Sequence, residues 1–233
     1  MHVYSSPYPP TPVPDESVYT NLAQTRFADY PSECPAFIDA ATGKVITRGE
    51  WKDLTLSLAW GLRHELPKLG GVSLQRGDVA MIFSPNSIAW PITLFGGIAA
   101  GIRMTLANSA YTPRELEYQW TDSGAKAVLV HPALLPVVLE MFKLLDMDLT
   151  AARRRIVVVD WPFPEAGFDD YLRVRDLLGK GRFAQEEKFP GDLANETALL
   201  CYSSGTTGKP KGVMVNLALT SRQILEVMIF MWP

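Results

Sequence analysis

Cysteine is nearly absent from this 233-residue chain: only Cys34 and Cys201 occur, too few for a disulfide framework and in keeping with a reducing compartment. Histidine is also sparse. His64 and His131 stand apart in sequence from any Cys, Asp or Glu at ligand spacing, so surface or core positions are expected rather than a metal site. There is no excess of positive charge, and a net charge of -3 gives no electrostatic ground for a nucleic-acid partner. Long apolar runs are lacking too. The longest, "IAWPITLFGGIAAGI", is short of a membrane span, is broken by Pro91, Gly96 and Gly97, and reads as a buried helix. Nor does "MHVYSSPYPPTPVP" have the basic start and apolar stretch of a secretory signal, which implies an intracellular protein.

What remains is a globular composition, 47% hydrophobic and 20% charged, sufficient for one or two domains. The one basic run, Arg153-Arg154-Arg155, precedes the apolar stretch "IVVVD" and reads as a solvated face rather than a phosphate patch. Arg76-Gly77-Asp78 spells an adhesion tripeptide but reads as a turn leading into a strand.

Five prolines in the first fourteen residues favour an extended arm, followed by a short helix around Val18 to Asp29. "AFID" and "KVIT", flanking a turn at Gly43, form a hairpin, and Glu50 to Leu66 has the apolar spacing of an amphipathic helix. From there strands alternate with helices. "DVAMIF", "IRMTLA", "AKAVLVH", "RIVVVD" and "TALLCY" are the strands; Ser84 to Ala100, "YTPRELEYQWTDSG", Ala133 to Asp146 and "FDDYLRVRDLL" are the helices. Thr112, Pro113 and Glu115 supply the cap, first position and capping partner of the second of these. This alternation implies an α/β fold, a largely parallel sheet with helices on both faces. In domain terms, residues 1–30 are the arm and short helix and residues 31–233 one partial domain.

The last strand runs into "SSGTTGKPKGVM". A loop leaving a buried parallel strand at its carboxyl end is where open α/β sheets bind ligands. Gly205, Gly208 and Gly212 allow close backbone approach; Ser203, Ser204, Thr206 and Thr207 bring hydroxyls; Lys209 and Lys211 bring positive charge. This set of donors suits a polyphosphate, whereas a flexible linker would explain the small residues but not "PKG". It is not a Walker A loop, because Pro210 follows Gly208-Lys209 and Ser203 stands at the first glycine's place. Cys201, beside the loop, is a candidate thiol nucleophile or, at the end of an apolar run, a small buried hydrophobe.

"YSSGTTGKPKGVM" resembles the phosphate-binding signature of the adenylate-forming (AMP-binding) superfamily, and further stretches resemble acyl-CoA synthetases and 4-coumarate:CoA ligase-like enzymes in the right order: "SPYPPTPVPDESVYTNL", "ITRGEWKDLTLSLAWGLR", "SPNSIAWPITLFGGIAAG" and "NSAYTPRELEYQWTDSGAKAVLVH". The resemblance implies the N-terminal part of an acyl- or aryl-CoA ligase. ATP, Mg2+ and coenzyme A would be its cofactors and co-substrates, and a fatty or aryl acid its small-molecule partner. Ser203, Ser204, Gly205, Thr206, Thr207, Gly208 and Lys211 would hold the β- and γ-phosphates, with Thr206 the hydroxyl on Mg2+ and Lys209 at a variable, solvated position. A peroxisomal location joins the cytoplasmic one, since relatives carry that address.

The resemblance has limits. Where the family continues with a Thr-His pair, Asn216 and Leu217 stand here. The family's adenine- and ribose-binding segments and its catalytic-lysine domain have no counterpart before Pro233, so no catalytic residue and no turnover by the chain alone are expected. The alternative is an inactive remnant that binds phosphate or a partner chain. "SRQILEVMIFMWP" is apolar on all faces, which predicts an exposed apolar patch near Pro233.

Overall fold

Thr47 opens the first long helix by accepting a hydrogen bond from the Glu50 N–H at 3.2 Å, while the Glu50 carboxylate takes the Thr47 N–H at 2.8 Å. This capping box starts α2 (Arg48–Trp60) two residues before the expected Glu50, and the helix runs on through a π-helical turn, Gly61–Glu65. In the computed structural model, residues 18–24, 31–187, 197–203 and 210–216 are described. The expected arm, the second half of the first helix and the apolar segment after Asn216 lie outside them. The first half of that helix is α1 (Val18–Gln24), which buries Val18, Tyr19 and Ala23 in the core and sets the Tyr19 ring against Trp51 and Phe95.

The predicted hairpin forms from β1 (Pro35–Ile38) and β2 (Val45–Thr47). The central sheet then builds from β3 (Val79–Phe83), β4 (Arg103–Ala107), β5 (Ala125–Val130), β6 (Ile156–Val158), β7 (Leu172–Arg173), β8 (Thr197–Ser203) and β9 (Lys211–Asn216). Its order is β7-β6-β5-β3-β4-β8-β9; every neighbouring pair is parallel except β8 and β9, which are antiparallel. The fold is thus α/β with a mostly parallel sheet, as expected.

Alternation along β3 shows how the sheet is covered. Ala80 and Ile82 face a core shared with α2 and α3 (Trp90–Ala99), whereas Val79, Met81 and Phe83 face one built from α4 (Pro113–Ser123) and α5 (Leu135–Leu144). Two glycines let α3 sit close on both sides. A Cβ on Gly96 would lie 2.9 Å from Leu58 of α2, and one on Gly97 would lie 2.1 Å from the Met104 sulfur of β4.

Several local expectations need correction. The helix expected from Ser84 begins at Trp90 with Pro91 in its first turn, because Ser84 to Ala89 instead form the turn at the carboxyl end of β3. "FDDYLRVRDLL" supplies the short strand β7 and a single turn, α7 (Val174–Leu177), since Leu172 and Arg173 pair with β6. An unexpected short helix, α6 (Leu149–Arg153), is capped by Asp148. Asp78 closes the Arg76-Gly77-Asp78 turn by accepting from the Gln75 N–H at 2.8 Å and pairs with Lys126 at 2.6 Å. The arginine run is engaged rather than freely solvated: Arg153 pairs with Asp170, and Arg154 and Arg155 donate to the Gly70 and Ala151 carbonyls. No described helix is long and apolar enough to cross a membrane.

Candidate functional site

The two ends of the glycine-rich loop meet at the carboxyl end of β8. Ser203 ends β8 and Lys211 begins β9, and they are register partners in the antiparallel pair. Since β8 runs parallel to β4, both residues lie on the edge where the parallel strands end. Both are exposed. Residues 204–209, carrying the expected Ser204, Gly205, Thr206, Thr207 and Gly208, fall outside the described part. Lys211 and Gly212, read from the sequence as part of the loop, are already paired in β9. The strand leading in is also less buried than expected: only Ala198 is buried, and Leu199 to Tyr202 are half-buried. β8 packs against both cores, with Ala198 and Leu199 in one and Leu200 against the other, but borders the exposed strand β9, where Val213 and Met214 are 51% and 71% accessible.

Helix α4 holds this hairpin from one face. Tyr118 donates its hydroxyl to the Pro210 carbonyl at 2.9 Å, and the Tyr202 hydroxyl donates to Asp122 at 2.6 Å. Between them, Gln119 donates from Nε2 to the Thr105 hydroxyl at 2.8 Å, which donates to the Leu200 carbonyl at 3.3 Å. Tyr118 and Asp122 share a helix face by their i, i+4 spacing, with Gln119 on the buried flank beside them. A cleft of about 430 Å³ between α4 and the hairpin is lined by Tyr111, Arg114, Tyr118, Tyr202 and Pro210 among others. Burial, then the bond to Asp122, raises the Tyr202 phenol far above its ordinary value, so it stays a donor at any physiological pH. Burial likewise pushes the Cys201 thiol up, which removes the thiolate a nucleophile needs and leaves it a half-buried apolar filler.

Sequence reasoning found Ser203 and Lys211 but missed Tyr118, Gln119 and Asp122; their helix-face spacing was legible, their partners were not. Among the described residues no group of three or more His, Cys, Asp or Glu could hold a metal ion. His131 uses Nδ1 to accept the Ala133 N–H at 3.2 Å, and His64 is stacked near Trp60 and Phe183, so both serve local structure.

The chain is 34% identical over 209 residues to a long-chain-fatty-acid–CoA ligase of Yersinia pestis, covering 83% of this chain and 35% of that protein. It is 30% identical over 240 residues to 4-coumarate–CoA ligase-like 3 of Oryza sativa subsp. japonica, covering 97% of this chain and 36% of that protein. It thus spans about a third of the length of these relatives. In fold it is similar to an anthranilate CoA ligase solved with anthranoyl-AMP, with a TM-score of 0.71 at 19% identity over 95% of this chain and 38% of that one. Residues 23–230 match the AMP-binding enzyme family, and the chain belongs to it.

Proposed function

We propose that this chain is the N-terminal, phosphate-binding part of an ATP-dependent acyl- or aryl-CoA ligase. The observation that carries the reading is the pairing of Ser203 with Lys211 at the carboxyl edge of the parallel sheet, where open α/β sheets bind ligands. In domain terms, residues 31–233 form a partial AMP-binding domain preceded by the arm and short helix of residues 1–30.

The chemistry of the described pair supports the reading. An exposed hydroxyl and an exposed ammonium, with no carboxylate paired to Lys211 among the described residues, suit an anion and would repel a bare cation. Lys211 would neutralise charge on the β- and γ-phosphates, and Ser203, Ser204, Thr206 and Thr207 would donate to their oxygens, with Gly205 and Gly208 allowing the backbone close. Thr206 would help to hold a Mg2+ that accompanies the nucleotide, and the ion would offset part of the phosphates' negative charge. In the full reaction a carboxylate oxygen bonds to the α-phosphorus of ATP as the bond to the β-phosphate oxygen breaks. Charge then accumulates on the departing pyrophosphate, the place where preorganised donors accelerate such a step. The coenzyme A thiol would then attack the acyl carbon, losing its proton and releasing AMP. The names of the relatives point to a fatty or aryl acid as substrate.

A second reading is a module that binds polyphosphate or a partner chain without turnover. Two measurements separate the readings. Calorimetric titration with pyrophosphate should show binding that Lys211→Ala weakens roughly tenfold or more, the scale of a lost charge-assisted contact. ATP–pyrophosphate exchange with a panel of fatty and aryl acids, run on the chain joined to the segments that its relatives carry beyond the matched third, then decides catalysis: acid-dependent exchange supports the ligase, and binding without exchange supports the module. A chain that neither binds nor exchanges overturns both.

A further inference from the structure

We infer that Tyr118 and Asp122 of α4 are positioning residues that fix the two stems of the phosphate-binding loop. The inference rests on the proposed phosphate-binding role of that loop but is argued from contacts outside it.

The stems need a support that they do not provide themselves. Among the described residues β9 is an edge strand whose first four residues are all exposed and whose one strand neighbour is β8. β8 in turn is held to the parallel sheet by a short ladder, Met104 to Leu106 against Leu199 to Cys201. That ladder stops before Tyr202 and Ser203, so the last residues before the loop have no parallel partner. Here α4 takes over. Asp122 receives the Tyr202 hydroxyl on the outgoing stem, and Tyr118 donates to the Pro210 carbonyl on the returning stem, one residue before Lys211. The two tethers come from positions one helical turn apart, so they move as one body with α4. That helix is itself fixed at its start by Thr112 and Glu115, whose reciprocal bonds close a capping box, and by the buried Leu116 and Trp120.

The consequence for the site is positional. Ser203 and Lys211 would present hydroxyl and ammonium groups to one anion only while their backbones keep register. A loosened stem spreads those donors over several placements, and each misplaced donor lowers the share of molecules ready to bind. Tyr118 and Asp122 touch no phosphate in this scheme; they act through the backbone and through Tyr202.

The test uses the whole chain and the variants Tyr118→Phe, Asp122→Ala, Tyr202→Phe and the Asp122→Ala/Tyr202→Phe double. Amide hydrogen exchange is followed at Cys201 to Ser203 and Lys211 to Val213, with β3 and β5 as internal references, and pyrophosphate affinity is titrated in parallel. Each single variant should speed exchange at the stems several-fold while β3 and β5 keep their wild-type rates. The double should match either of its singles, because both remove the same bond. Pyrophosphate affinity should fall about threefold to tenfold. Stem exchange unchanged in both Tyr118→Phe and Asp122→Ala, or raised equally in β3 and β5, overturns the inference. If the unaltered chain binds no pyrophosphate, the proposed function fails instead, and the exchange pattern still decides whether α4 fixes the stems.

Discussion

The ring of Tyr202 lies against the α-carbon of Gly212, its register partner on the neighbouring strand: a Cβ built on Gly212 would sit 3.1 Å from the ring's Cζ and 3.2 Å from the hydroxyl. The missing side chain leaves room for the ring to cross the pair and reach Asp122. Gly212→Ala should therefore shift the ring by a few tenths of an ångström and weaken the Tyr202–Asp122 bond, and Gly212→Val should displace it outright. The expected cost for valine is about 1–2 kcal/mol, one hydrogen bond plus lost ring packing. Thermal unfolding checks this, with a fall of roughly 2–8 °C expected for a chain of this size. A valine variant as stable as the original would show that the ring has another resting place.

A second prediction concerns the buried bridge from α4 to β8. Gln119 and Thr105 are 1% and 0% exposed, and Gln119 Nε2 finds its acceptor in the Thr105 hydroxyl. Thr105→Val keeps the shape but strands that amide, which should cost about 1–3 kcal/mol. Adding Gln119→Leu removes the stranded group, so the double variant should recover part of the loss and the two changes should be strongly non-additive. Urea unfolding of the two singles and the double measures the coupling; simple additivity would show that the pair does not share its energy.

The third prediction is a pH dependence at the opposite end of the sheet. Asp160 has a fully buried side chain, with Arg173 at 3.7 Å and Arg175 at 3.5 Å. Burial raises its carboxyl above the ordinary range and Arg173 pulls it back down. A carboxyl raised in the folded state holds its proton more tightly there than in the unfolded chain. Stability is therefore lost as pH climbs from the ordinary carboxylate value through the raised one. Arg173→Met removes the main counter-pull, which raises that value further and leaves the buried charge at neutral pH with the half-exposed Arg175 as its remaining partner among the described residues. The variant should lose about 3–5 kcal/mol at pH 7, and the gap to the original chain should narrow on acidification. Urea midpoints across a pH series test it. A gap that stays constant or widens toward acid would mean that Asp160 is not the group left uncompensated.

Much of the α/β layout was legible because its signals are local. Thr112, Pro113 and Glu115 mark the start of α4 within four residues, and the apolar runs of β3, β5 and β6 need only their own composition. The helix misread in "FDDYLRVRDLL" shows where such signals stop. Its Arg173 is buried to meet Asp160, and its neighbour Leu172 pairs with β6, so distant partners override the local pattern. The candidate site divides the same way. Ser203 and Lys211 could be picked out from a contiguous motif, whereas Tyr118 and Asp122 acquire their meaning from partners 92 and 80 residues away.

The place of β8 in the sheet also bears on the order in which the molecule comes together. Its partner β4 is distant in the chain, with the Thr105 hydroxyl and the Leu200 carbonyl separated by 95 residues. β3, β4 and β5, by contrast, are joined by short helical crossovers. Closing so long a loop is entropically slow and becomes favourable only after the nearer contacts exist. During synthesis the strands from β3 to β6 leave the ribosome before β8 and can form a platform that waits for it. The β8–β9 hairpin would then dock after that platform, and under the proposed function a polyphosphate that prefers the docked form would act as a ligand for that folding step.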